Sequence, residues 1–179
     1  MKLLLRFVFL FAVAQTSFAN SIDCQAEYTK RLQTDLNLSY KEFDQTEGKG
    51  MRALAYAGCA KEAADLIVAY IKKNDAKQSS LFWHVAQQRA SDGENAEAIR
   101  YARQSLAKEE DLSKRPLRWN DYVLATIAFL EKDKEKFLQH RENVAQGKDL
   151  HFGNAMNLKL LDGLLKNFDK NYKQATMQE

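Results

Sequence analysis

Apolar residues recur every three to four positions along most of the chain after residue 22, a period that predicts helices. Over residues 23–36, Cys24, Tyr28, Leu32 and Leu36 stand at four-residue steps and form one ridge. Ser39-Tyr40-Lys41-Glu42 fits a capping box, with Leu38 and Phe43 placed as a hydrophobic staple. Gly48 and Gly50 then predict a bend over 44–49, with helix resuming through Met51, Leu54 and Ala57 up to Gly58. The cleanest stripe is Ala60, Ala63, Ala64, Ile67, Val68 and Ile71, ended by Asn74-Asp75. Ser79 or Ser80 caps a helix carrying Leu81, Phe82, Val85, Ala86 and Ala90, stopped by Asp92-Gly93. Another helix runs over 95–107, with Ala98, Ile99, Ala102 and Leu106 inward.

Residues 108–115 are charged and read as a loop. Pro116 biases Arg115 away from helix and suits the first position of the next one. That helix carries Trp119, Tyr122, Val123, Thr126, Ile127 and Leu130. Lys132-Asp133 turns the chain into a helix with Phe137, Leu138, Arg141 and Val144. Gly147 and Gly153 bracket a loop, and Leu158, Leu161, Leu164, Leu165 and Phe168 mark a last amphipathic helix. Residues 173–179 are expected to fray. No long alternating strand pattern and no low-complexity stretch occurs, and Pro116 is the sole proline.

The N-terminus differs from all of this. Lys2 and Arg6 accompany an apolar run, Leu3–Leu5 and Phe7–Ala14, of signal-peptide length and too short for a span of about 20 residues. Ser17-Phe18-Ala19 supplies small residues where a signal peptidase reads, so 1–19 is expected to be a cleaved leader and 20–179 a single domain. Asp23 before Cys24 argues against lipidation there, which leaves no stable membrane anchor after cleavage. Roughly 160 residues remain, enough for one domain with its own core.

The chain has 27 Lys and Arg against 24 Asp and Glu, and the leader removes two bases and no acids. The near-neutral remainder gives no electrostatic case for nucleic acid. An exported chain works in a periplasmic or secreted setting, with a bacterial envelope the expected one. There Cys24 and Cys59, the only cysteines, most simply form a disulfide.

The predicted helices fall into antiparallel pairs with short turns, and the turns recur. Gly58-Cys59-Ala60-Lys61-Glu62-Ala63 and Gly93-Glu94-Asn95-Ala96-Glu97-Ala98 share Gly-x-x-x-Glu-Ala at a spacing of 35 residues. This resembles the tetratricopeptide repeat, whose period is about 34 residues. In that family Gly closes the first helix and the small Ala lets the second pack closely, positions matched by Gly58 with Ala63 and Gly93 with Ala98. A third pair, about 117–145, departs from the pattern, with Lys132 in place of the glycine and Phe137 in place of Ala. The resemblance covers about 46–145. It implies an all-α fold, a short tetratricopeptide-like solenoid with extra terminal helices.

No catalytic constellation emerges. His84, His140 and His151 lack metal-ligand spacing, and no metal or other cofactor is expected. There is no Gly-x-Ser-x-Gly turn and no phosphate-cradling glycine loop. The acids Glu109, Glu110, Asp111, Glu131, Asp133 and Glu135 sit in loops or at turns. The resemblance implies instead a ligand groove along the first helix of each pair. Its lining would be Arg52 and Tyr56, then Trp83 and Gln87, then Trp119 and Tyr122. Helical aromatic stripes are usually core, however, and packing against neighbouring or terminal helices is the favoured reading of Trp83, Trp119 and Tyr122. The expectation is a non-catalytic module binding a protein or peptide. The alternatives are a cell-envelope hydrolase with unassigned acids and a small inhibitor or immunity protein.

Overall fold

Turn and cap chemistry divides this chain into short helices, and the computed structural model describes them over residues 22–177. Every regular element among the described residues is helical. The expected leader and its cleavage point lie outside those residues. None of the helices described is long and apolar enough to cross a membrane.

Helix α1 (Cys24–Thr34) starts where the Asp23 carboxylate accepts from the Ala26 N–H. Its ridge of Cys24, Tyr28 and Leu32, continued by Leu36, packs half-buried on the core as the spacing predicts. The capping box forms in both directions. Ser39 Oγ accepts from the Glu42 N–H, and the Glu42 carboxylate accepts from the Ser39 N–H, each at 3.3 Å. The box opens onto a single π turn, Lys41–Gln45. This turn buries Phe43 completely, stacked on Tyr70 with ring centroids 3.9 Å apart.

The predicted bend has a steric cause. Gly50 has φ +47° and opens α2 (Gly50–Tyr56); a Cβ there would stand 2.1 Å from the Phe43 carbonyl oxygen. Only glycine allows that approach. The Asp35 carboxylate accepts from the Gly50 N–H at 3.0 Å and from Arg31 at 2.6 Å, which ties the end of α1 to the start of α2. The disulfide Cys24–Cys59, with Cα atoms 5.4 Å apart, fastens the other end of α1 beside the start of α3 (Ala60–Asn74).

The chain continues through α4 (Ser79–Asp92), α5 (Asn95–Gln104), α6 (Trp119–Glu131), α7 (Lys134–Gln146), α8 (Phe152–Lys166) and α9 (Tyr172–Thr176). Successive helices from α2 to α7 pack on one another, and short turns make hairpins of α2–α3, α4–α5 and α6–α7. Gly58, Gly93 and Lys132 all take left-handed backbone, at φ +81°, +88° and +60°. The third hairpin thus turns as the other two do, on a residue whose Cβ disfavours it. Ala63, Ala98 and Phe137, one after each turn, are fully buried.

Four boundaries differ from the sequence expectation. Neither Ser79 nor Ser80 caps α4: both lie within it after Gln78, and the Ser80 hydroxyl is bonded to that of Tyr40. Helix α5 ends at Gln104, short of residue 107, because the Asn120 side chain takes both the N–H and the carbonyl of Ala107. Pro116 does not open α6. Asn154, fully buried, donates to the Pro116 carbonyl at 2.7 Å and accepts from the Arg118 N–H at 2.8 Å, so helix starts only at Trp119. Residues 173–176 do not fray: Asn171 caps α9, and Tyr172 and Ala175 are buried.

Candidate functional site

The six expected groove residues separate into two groups. Arg52 and Tyr56 lie on α2, which packs on α1, the π turn and α3. The Arg52 guanidinium donates through Nε to the Asp44 carbonyl at 2.6 Å, and Tyr56 is 66% exposed. Trp83, Trp119 and Tyr122 meet where α4 faces α6, with ring centroids 5.0–5.9 Å apart. Trp83 and Tyr122 are buried, and the Trp119 indole donates to the Ser105 carbonyl at 2.8 Å. This is the geometry of packed aromatics.

The space beside them is closed by the C-terminal helix. Tyr172 of α9 lies with Trp83, Ala86 and Gln87 of α4 and Thr126 and Leu130 of α6 around one closed interstice. Burial, partly opposed by its hydrogen bond with Gln87, pushes the Tyr172 phenol up to about 12. Burial also holds the Tyr122 phenol well above its ordinary range, and Tyr172 adds to that. Behind Tyr172, the rings of Phe129, Phe137 and Phe168 complete an aromatic core with centroid separations of 5.3–6.4 Å.

The accessible apolar surface lies further along, on α8. Phe152, Met156 and Leu160 stand at four-residue steps and are 80%, 49% and 38% exposed. One turn beyond Leu160 the same side of α8 is covered by α9. Gly163 sits there, and a Cβ on it would be 3.7 Å from the Ala175 carbonyl oxygen. Between α8, the 167–170 turn and α9 opens a cleft of about 710 Å³, lined by Leu160 and Met177 among Lys159, Lys166 and Lys170. A smaller hollow of about 210 Å³ joins Leu160 to Gln87, Gln88 and Tyr122, so the α8 surface reaches two of the expected groove residues.

Two histidine–aspartate pairs have no counterpart among the sequence expectations. His84 Nδ1 lies 2.6 Å from Oδ1 of Asp44, which is 1% exposed in the π turn. His140 Nδ1 lies 2.9 Å from Oδ1 of Asp121, whose carboxylate also accepts from Asn143 and Arg118. A carboxylate at Nδ1 orients an imidazole as in hydrolytic triads. No hydroxyl or thiol among the described residues bonds the other ring nitrogen of either histidine. Ser80, one turn before His84, shares a hydrogen bond with the Tyr40 hydroxyl at 2.8 Å. What the pairs do here is cross-link helices. Nothing in the sequence could signal them, because 40 and 19 residues separate the partners.

The α8 ridge carried a readable signal. Seven large apolar residues in α8 are too many for one face, and Phe152, Met156 and Leu160 form an i, i+4 row, continued by buried Leu164, beside Leu158, Leu161 and Leu165.

Cys24, Cys59 and Glu62 bring three potential metal-ligand atoms within 4.8 Å, but both sulfurs are committed to the disulfide. Another depression, about 430 Å³, lies beside Trp119 under the 107–117 loop. Two of its acids are already engaged, Glu110 by the Asn120 N–H and Asp111 by Ser113 and Lys114. No protein-family model matches this chain, and no curated protein or solved structure matches it.

Proposed function

We propose that this protein is an exported, non-catalytic helical-repeat module of tetratricopeptide-like kind that binds a protein or peptide. Support for the repeat comes from the recurring hairpin turn, left-handed at Gly58, Gly93 and Lys132, with a buried residue five positions after each. The disulfide is compatible with an oxidising compartment, periplasmic or secreted.

The observation that carries the binding role is the uncovered ridge of Phe152, Met156 and Leu160. Three large apolar side chains stand exposed in one row on α8, and contiguous apolar patches mark interaction sites. In this reading the α4–α6 part of the expected groove is filled in cis by Tyr172, and the partner uses the α8 surface next to it. Tyr56, on the far α2 end, is an independent control position.

The test is cross-linking in the native envelope followed by capture of the tagged protein. The Phe152→Ser, Met156→Ser double variant is expected to lose the cross-linked partner while its melting temperature holds, because both side chains are exposed. Unchanged capture by that variant, with loss on Tyr56→Ala, would move the site to α2.

A further inference from the structure

We infer that the α8–α9 surface docks an acidic amphipathic helix, whose apolar ridge lies along Phe152, Met156 and Leu160 and whose carboxylates face Lys159 and Lys170. The inference rests on the binding-module reading and adds the chemistry of the partner.

A helix is favoured over an extended strand by the shape of the surface. The three apolar residues follow an i, i+4 row, the kind of ridge that interleaves with the ridges of another helix. The chain already seats a helix on the same side of α8: α9 lies over Gly163, one turn beyond Leu160. A docked helix would extend an existing helix-on-helix contact toward the N-terminus of α8.

Charge selects the sign of the partner. Lys159, Lys166 and Lys170 line the cleft beside Leu160, and no carboxylate among the described residues lines it. Asp162, the one acid within α8, is bonded to Arg141 of α7 on another side, with Nε to Oδ1 at 2.7 Å. A flat anionic membrane is a poorer match, since the cleft lysines surround a recess and do not form a plane.

The probe is a synthetic amphipathic peptide of about 20 residues, long enough to be helical, with Leu on one face and Glu along its flanks. Its twin carries Lys in place of every Glu. Binding to the purified protein is read by fluorescence anisotropy at two salt concentrations. The Glu peptide is expected to bind at least ten-fold more tightly than the twin, and to weaken as salt rises. Phe152→Ser with Met156→Ser should cost ten-fold or more, and Lys159→Glu with Lys170→Glu should reverse the preference. Equal binding of both peptides, or a preference untouched by the lysine reversal, overturns the acidic partner and leaves the binding-module reading standing. Binding untouched by the Phe152 and Met156 changes overturns the site. Binding to vesicles of phosphatidylcholine and phosphatidylglycerol with neither peptide bound overturns both the inference and the reading beneath it.

Discussion

The Lys132 ammonium donates to the Phe168 carbonyl at 2.7 Å, and to that of Lys170 at the same distance, while standing 4.2 Å from the Phe129 ring centroid. One residue therefore turns the third hairpin at φ +60° and also holds the segment leading into α9. The two roles oppose each other energetically. Left-handed backbone costs a non-glycine residue about 1–2 kcal/mol, and charged hydrogen bonds return a similar amount. Lys132→Ala keeps the backbone cost and loses the bonds, so it should destabilise by about 1–2 kcal/mol. Lys132→Gly loses the bonds but sheds the cost, and should sit about 1 kcal/mol above the alanine variant. Urea midpoints compare the two; a glycine variant below the alanine one would refute the argument.

Asn154 is fully buried and uses its whole amide, donating to the carbonyls of Pro116 and Gly147 and accepting from the Arg118 N–H. Asn154→Ala leaves the Pro116 carbonyl and the Arg118 N–H without a partner, while the Gly147 carbonyl keeps the Leu150 N–H, and should cost about 3 kcal/mol. Asn154→Asp keeps the shape but turns an acceptor toward two carbonyls, and should cost at least as much. Hydrogen exchange at Arg118 in the alanine variant should rise well before that of α6. Exchange unaltered there would mean that the loop is held by other contacts.

Reduction should act locally first. No residue of α1 is fully buried, and besides the disulfide it is held by its half-buried ridge and by Asp35. Breaking Cys24–Cys59 releases a closed loop with a sequence separation of 35, worth about 3–4 kcal/mol in the chain-entropy model. A Cys24→Ser, Cys59→Ser variant is expected to lose more amide protection in α1 than in α4 and α6, which fall only by the global loss. Uniform loss across all helices would show that α1 is integral to the cooperative core.

Alkali should unfold the protein through its buried phenols. Tyr172 has its pKa raised from 10.0 to about 12 by burial. Unfolded chains release that proton near pH 10, so between pH 10 and 12 the unfolded state binds fewer protons and stability falls. The loss from Tyr172 alone is about 2–3 kcal/mol across the window, and below pH 10 it is absent. Tyr172→Phe gives up the Gln87 bond and should be slightly less stable at pH 8, yet lose less between pH 8 and pH 11. Tyr122, shifted in the same direction, keeps some of the slope. Parallel pH profiles for the two proteins would count against Tyr172 as a titrating group.

Helix periods and turn residues were legible because they are local. The α3 stripe, the capping box at Ser39 and the stops at Asp75 and Gly93 depend on residues within one or two turns, and they form where the spacing places them. The boundaries that moved depend on distant side chains. Asn154 sets the start of α6 from 36 residues away, and Asn120 ends α5 from beyond the charged loop. The α9 helix was illegible for the same reason: Tyr172 is ordered by packing on α4, and its own short segment has little intrinsic helical tendency. Of the expected groove, composition foretold which residues would be large and aromatic. The period favoured core packing for Trp83 and Tyr122, which are buried, but did not foretell that they would meet each other while Tyr56 stays in solvent.

The late position of Phe168 and Tyr172 bears on how the chain comes to be folded. Both rings complete the aromatic core around Phe129, yet they are made roughly forty residues after it. Until they arrive, a growing chain that has already paired α4 with α5 and α6 with α7 keeps Trp83, Thr126 and Phe129 without their cover. The packing of the central hairpins is thus complete only once the α9 segment has joined them.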